Sequence, residues 1–170
     1  NPKMQNVLTE RGFGESQNDT LILNSFETLY LLYNNKLELK KVNKNIIFDE
    51  LIQKYIQKND DILTRFLLYR DLRTKGYVVK DGFGFGSDFR VYEKGTYGQK
   101  DAKFLIFAFN EGTQQKIGKL YKNIHEITQM GKEPIIAVIE RRGEIIYYKI
   151  NKMNFLKNKS ELEMKDFNFN

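Results

Sequence analysis

Tyr92 closes the run Phe89-Arg90-Val91-Tyr92, and Lys132 follows Gly131 directly. A phenol and an ammonium are two of the groups that general acid–base cleavage of RNA needs. One group must accept the 2′-hydroxyl proton, one must protonate the leaving oxygen, and a cation must meet the charge of the transition state. Taken alone each has an ordinary explanation, since tyrosine is common in cores and lysine is common after helix ends. Asp88 and Asp101-Ala102-Lys103 spell a second chemistry, in which an aspartate and an acid-x-lysine strand hold a divalent metal. His125 is the only histidine, one residue past an apolar helix position, where a boundary histidine is the ordinary reading. Gly82, Gly84 and Gly86 alternate as in phosphate-cradling loops. Such a loop must run from a strand into a helix N-terminus, whereas these glycines separate two strands, which makes a hairpin or bulge the expectation.

Composition narrows the classes further. With no cysteine, disulfide staples and thiolate metal sites are excluded, and one histidine removes a histidine-cluster zinc site. The 170 residues carry a formal charge of +6, an excess that favours polyanionic partners through counterion release. Arg141 and Arg142 are candidate phosphate contacts, with a solvated basic turn as the alternative. No run approaches the roughly 20 apolar residues of a membrane span, and no secretory signal opens the sequence, so a cytoplasmic protein without a membrane partner is expected.

The elements that must position these residues follow from periodicity. Up to Thr20 the sequence gives little periodic signal. Leu21 to Leu23 is a short strand, Asn24 or Ser25 caps a helix through Tyr33, and Phe26, Leu29, Tyr30 and Tyr33 share its inner face. Leu37 to Leu39 alternates like a strand, and Phe48 to Lys58 is an amphipathic helix. From Asp60 to Lys75 a helix turns Ile62, Leu63, Phe66, Leu67, Tyr69 and Leu72 inward and ends at Gly76. Strands are expected at Tyr77 to Lys80, Phe89 to Tyr92 and Lys103 to Phe109. Thr113 caps a helix with Ile117, Leu120, Tyr121, Ile124 and Ile127 on one face. Ile135 to Ile139 and Ile145 to Ile150 form a hairpin around Arg141-Arg142-Gly143. The class is α/β (α+β): a small N-terminal α/β domain over residues 1–59, a mixed-sheet domain over 60–157, and a tail over 158–170.

Tyr69-Arg70-Asp71-Leu72-Arg73-Thr74-Lys75-Gly76-Tyr77, then Gly82 with Phe85-Gly86-Ser87-Asp88-Phe89-Arg90-Val91-Tyr92, closely resembles the archaeal tRNA-splicing endonucleases. The likeness extends through Asp101-Ala102-Lys103-Phe104-Leu105 and Gly131 to Val138, and ends at Tyr147-Tyr148. It implies a restriction-endonuclease-like C-terminal sheet and a dimeric or tetrameric enzyme, free of cofactor and metal. Such an enzyme cuts bulge–helix–bulge precursor tRNA to a 2′,3′-cyclic phosphate and a 5′-hydroxyl. The family triad is tyrosine, histidine and lysine. Tyr92 and Lys132 fall on the first and third positions, but Asp101 stands where the histidine opens its strand. An aspartate of reference pKa about 3.9 is protonated on the order of one part in a thousand at pH 7, against about a quarter for a histidine of about 6.5. The likeness therefore implies a structural subunit that has lost the general acid and assembles two-plus-two with a catalytic paralogue. Ile145, Ile146, Tyr147, Tyr148 and Ile150 would pair with the partner's strand. The competing expectations are a self-sufficient ribonuclease using Asp101 and a metal-dependent nuclease on the same core.

Overall fold

A computed structural model describes residues 2–42, 44–82 and 84–150. The expected tail and the last residues of the second domain lie outside that range. In chain order the elements are α1 (Pro2–Glu10), β1 (Glu15–Gln17), β2 (Thr20–Ile22), α2 (Ser25–Tyr33), β3 (Leu39–Lys41), β4 (Lys44–Ile46) and α3 (Phe48–Ile56). There follow α4 (Ile62–Thr74), β5 (Val78–Asp81), β6 (Phe89–Tyr92), β7 (Phe104–Asn110), α5 (Ile117–Gln129), β8 (Glu133–Ile139) and β9 (Ile145–Lys149). Among the described residues no helix is long and apolar enough to cross a membrane.

Asn24 starts α2 through a capping box: the Glu27 N–H donates to Asn24 Oδ1 at 2.8 Å and the Asn24 N–H donates to Glu27 Oε2 at 3.0 Å. The helix is buried on more than one side, with Phe26, Leu29, Tyr30, Leu31 and Leu32 in the core and Tyr33 exposed. Two local hairpins, β1–β2 and β3–β4, flank it. The main sheet has the order β5-β6-β7-β8-β9, in which only β7 and β8 run parallel. α5 supplies the crossover that a parallel pair requires. Strand alternation sends Val79, Phe89, Val91, Ile106 and Ala137 into one core with α2 and α4, while Leu105 and Phe107 meet Ile127 of α5 on the other face. The first core is continuous from Phe13 and Phe26 to Phe89, so it crosses the expected boundary at residue 59.

Several expectations shift. The stretch before Thr20 holds α1 and β1, and β3 starts at Leu39 with a partner strand β4 that the alternation missed. On α4 the exposed residue is Leu63, and Leu68, absent from the expected set, is fully buried, because the helix is covered by α2 and the sheet together. Thr113 does not cap α5, which begins at Ile117 after Lys116. Ile117 and Tyr121 are 78% and 62% exposed, because the sheet covers only the flank that carries Leu120, Ile124 and Ile127. The alternating glycines do form a connection between antiparallel strands. A Cβ on Gly82 would lie 1.9 Å from the Ser87 carbonyl oxygen, which is why glycine is needed at the base of that turn.

Candidate active site

Strand polarity gathers the three candidate residues at one end of the sheet. β6 runs antiparallel to β7, so Tyr92 at its end lies beside the start of β7, where the Lys103 N–H donates to the Val91 carbonyl at 3.0 Å. β8 runs parallel to β7, so its start lies at the same end, where the Glu133 N–H donates to the Lys103 carbonyl at 2.9 Å. Asp101 stands three residues before the first of those starts and Lys132 directly before the second. Gly131 takes φ 71°, which stops α5 and lets the Lys132 N–H return to the Ile127 carbonyl at 3.2 Å. The Lys132 ammonium then donates to the Ala102 carbonyl at 2.7 Å, which fixes the cation beside Asp101.

Tyr92 is half-buried with its ring edge-on to Tyr97, at 5.0 Å and 86°. Tyr97 escaped the sequence reading because it lies in an irregular loop without periodicity. Asp101 is exposed, and among the described residues nothing bonds to its carboxylate. Around it runs a chain of opposite charges. Lys103 contacts Glu93 and lies 3.8 Å from Glu133, which pairs with Lys149 at 2.8 Å. The hydrogen bond from Lys149 holds the Glu133 carboxyl below the ordinary carboxylate range, and the bond to Glu93 raises the Lys103 ammonium. Glu133 is thus ionised at neutral pH and does not supply a proton either.

His125 does not fill the gap. Its ring stacks on Tyr121 at 6.5 Å and 4°, its Nε2 lies 3.0 Å from Gln129 Nε2, and no contact joins it to Tyr92, Asp101 or Lys132 among the described residues. The metal-type pairing is broken up as well. Asp88 pairs with Arg65 at 3.0 Å and accepts the Ala108 N–H at 2.7 Å, near the far end of β7 from Asp101. Burial pushes the Asp88 carboxyl up, against the pull of the Ala108 N–H and the Arg65 guanidinium. Among the described residues no three of His, Cys, Asp and Glu form a group able to hold a metal ion.

Arg141 and Arg142 are exposed in the β8–β9 turn, at the opposite end of the sheet from Tyr92, and the Arg141 N–H donates to Glu111 Oε2 at 3.2 Å. The outermost strand β9 divides its residues between two faces. Ile145 and Tyr147 pack on the core, and the Tyr147 hydroxyl donates to Asp71 Oδ2 at 2.5 Å. Ile146 and Tyr148 lie on the other face, 38% and 49% exposed, and the half-buried Ile150 donates its N–H to the Pro134 carbonyl at 3.2 Å. What the site offers chemically is a phenol and a held cation for a phosphodiester, with the exposed Asp101 carboxyl at the same end of the sheet.

Comparison with known proteins gives two family matches and a set of similar chains. Residues 62–147 match the profile of the tRNA intron endonuclease catalytic C-terminal domain, and residues 1–52 that of the tRNA intron endonuclease N-terminal domain. A tRNA-splicing endonuclease of Methanococcus maripaludis is 32% identical over 151 residues, covering 88% of this chain and 84% of that protein. One from Thermococcus onnurineus is 30% identical over 149 residues, covering 88% and 86%. One from Pyrococcus horikoshii is 27% identical over the same 149-residue length, again covering 88% and 86%.

Proposed function

The chain belongs to the tRNA intron endonuclease family, and on that premise we propose that it is the structural, non-catalytic subunit of a heteromeric tRNA-splicing endonuclease. It assembles two-plus-two with a catalytic paralogue and positions that subunit on the bulge–helix–bulge of a precursor tRNA in the cytoplasm. The paralogue performs the metal-independent cleavage to a 2′,3′-cyclic phosphate and a 5′-hydroxyl. The observation that carries this reading is Asp101. Its carboxylate is exposed, Lys132 is anchored on the Ala102 carbonyl, and the likeness to the family aligns Asp101 with the triad histidine and Tyr92 and Lys132 with the other two members. At pH 7 a carboxylate repels the charge that builds on phosphorus, where an imidazolium would neutralise it.

The partner contact falls on β9. Among the described residues no strand lies beside its outer edge, and Ile146 and Tyr148 add exposed apolar area there. Tyr147, held by Asp71, supports the strand from behind. Arg141 and Arg142 lie at the end of the same hairpin, where phosphate contacts would not disturb the pairing edge. The division at residue 59 assigns the α2–α3 unit to the N-terminal domain and the five-stranded sheet to the domain that holds the vestigial site.

The test is cleavage of a bulge-containing precursor RNA by the purified chain, with and without EDTA, alone and mixed with the catalytic paralogue. The chain alone is expected to be silent in both buffers, and the mixture to cut and to elute at the mass of four subunits. In Asp101→His, cleavage by the single chain is expected to appear. Metal-free cleavage by the unaltered chain overturns the structural-subunit reading in favour of Asp101 acting as the acid. Cleavage abolished by EDTA points instead to a metal enzyme.

A further inference from the structure

Arg90 lies two residues before Tyr92 on β6, so alternation places both on the same face, about 7 Å apart along the strand. Phe89 and Val91 between and behind them are buried on the opposite face. The Nε of Arg90 is buried without a hydrogen-bond partner among the described residues, and no carboxylate pairs with the guanidinium. A desolvated donor without a partner costs free energy that a ligand can recover. Arg90 lines a cavity of about 490 Å³ together with Lys80, Asn24, Ser16 and Gln17.

Carboxylates border the same cavity, but two of them are engaged. Glu27 is paired with Lys80 at 3.0 Å, and Asp81 accepts a hydrogen bond from Asn24 at 3.3 Å. The third, Glu15, is exposed on β1 at the rim. On the α5 side, Asn123 lies against the turn at Gly86, and the exposed Lys119 shares that flank at i, i+4 spacing. Arg90, opposite Leu105 in register, therefore lies on the sheet face that α5 covers, where Lys119 adds an exposed positive charge.

We propose that Arg90 binds the RNA backbone, holding through its guanidinium fork the phosphate adjacent to the one presented to Tyr92 and Lys132. A planar fork suits two phosphate oxygens, and Nε is one of its donors. The site of this chain then grips a single strand of precursor RNA that it does not cut. This inference rests on the RNA reading above and adds one residue and its ligand to it.

The test measures binding of a precursor tRNA transcript containing the bulge–helix–bulge to the full chain, mixed with its catalytic paralogue, at several salt concentrations. Arg90→Ala is expected to weaken binding about tenfold to a hundredfold and to lower the slope of log affinity against log salt by about one. Arg90→Lys is expected to restore the slope and only part of the affinity, because a point charge lacks the fork. Lys41→Ala, which removes an exposed charge on β3, controls for net charge, and melting temperatures report whether each variant folds. Unchanged affinity and slope in Arg90→Ala, with the unaltered assembly binding normally, overturns the role of Arg90 and leaves the subunit reading intact. Failure of the unaltered assembly to bind the transcript overturns both.

Discussion

At the scale of single residues, the carboxylates around the candidate site differ in their surroundings. Glu133 is held ionised by Lys149, and Asp101 stands in water. Asp88 is different, because burial raises its pKa in the folded chain. A raised acid pKa means that the folded state binds more protons than the unfolded one, so stability falls as pH rises from the ordinary aspartate range through the raised value. In Asp88→Asn that dependence disappears while the oxygen facing the Ala108 N–H is kept. The stability of the unaltered chain relative to this variant is therefore expected to decline as pH rises above the ordinary aspartate range through the raised value. Denaturant melts across that range check the sign. Tyr147→Phe removes the donor to Asp71, a hydrogen bond to a charged group. The expected cost is about 1.5–3 kcal/mol, read from the denaturation midpoint. Lys75, also 2.5 Å from that Asp71 oxygen, keeps the carboxylate paired and places the loss toward the lower end.

At the scale of elements, α2 shows how a local signal becomes a fixed helix end. Asn24→Ala removes the acceptor for the Glu27 N–H, and a loss of about 1 kcal/mol is expected, visible as a lower melting temperature. This cap was legible because Asn24 and Glu27 stand three apart before an apolar run. The strands β5 to β9 were legible for a similar reason, since β-branched runs alternate between turn residues. Other elements gave weaker signals. α1 reads as Asn, Gln, Thr and Glu around Val7 and Leu8, too few apolar positions for a clear period. The β3–β4 hairpin turns through Val42 at φ 56°, a conformation that a β-branched residue does not advertise. On α5, helical spacing identified apolar positions but not which flank the sheet covers, so Ile117 and Tyr121 were placed inside when they lie outside. The candidate triad was legible by its likeness to the family, and the Lys132 anchor on Ala102 was not. A side chain meeting a backbone carbonyl 30 residues away leaves no mark on composition or period.

At the scale of the whole molecule, the two halves are joined by charge as well as by apolar contact. Lys80 of β5 is buried against Glu27 of α2 at 3.0 Å and also donates to the Gly14 carbonyl at 2.9 Å. Lys80→Met is expected to destabilise the chain by about 3–5 kcal/mol, because it strands the Glu27 charge in the interior. Combining it with Glu27→Gln removes that charge and is expected to recover most of the loss, which a double-mutant cycle of unfolding free energies measures. Full additivity of the two single losses would show that the ions do not sense one another.

Around this ion pair the rings of Phe26, Tyr30, Tyr69 and Phe89 interlock at centroid distances of 5.2–6.0 Å, so α2 contributes its aromatic residues to the same cluster as α4 and β6. Swapping amino-terminal segments between this protein and a relative would leave those aromatic sockets mismatched. A chimera should fold only when the donor's second helix travels together with the fourth.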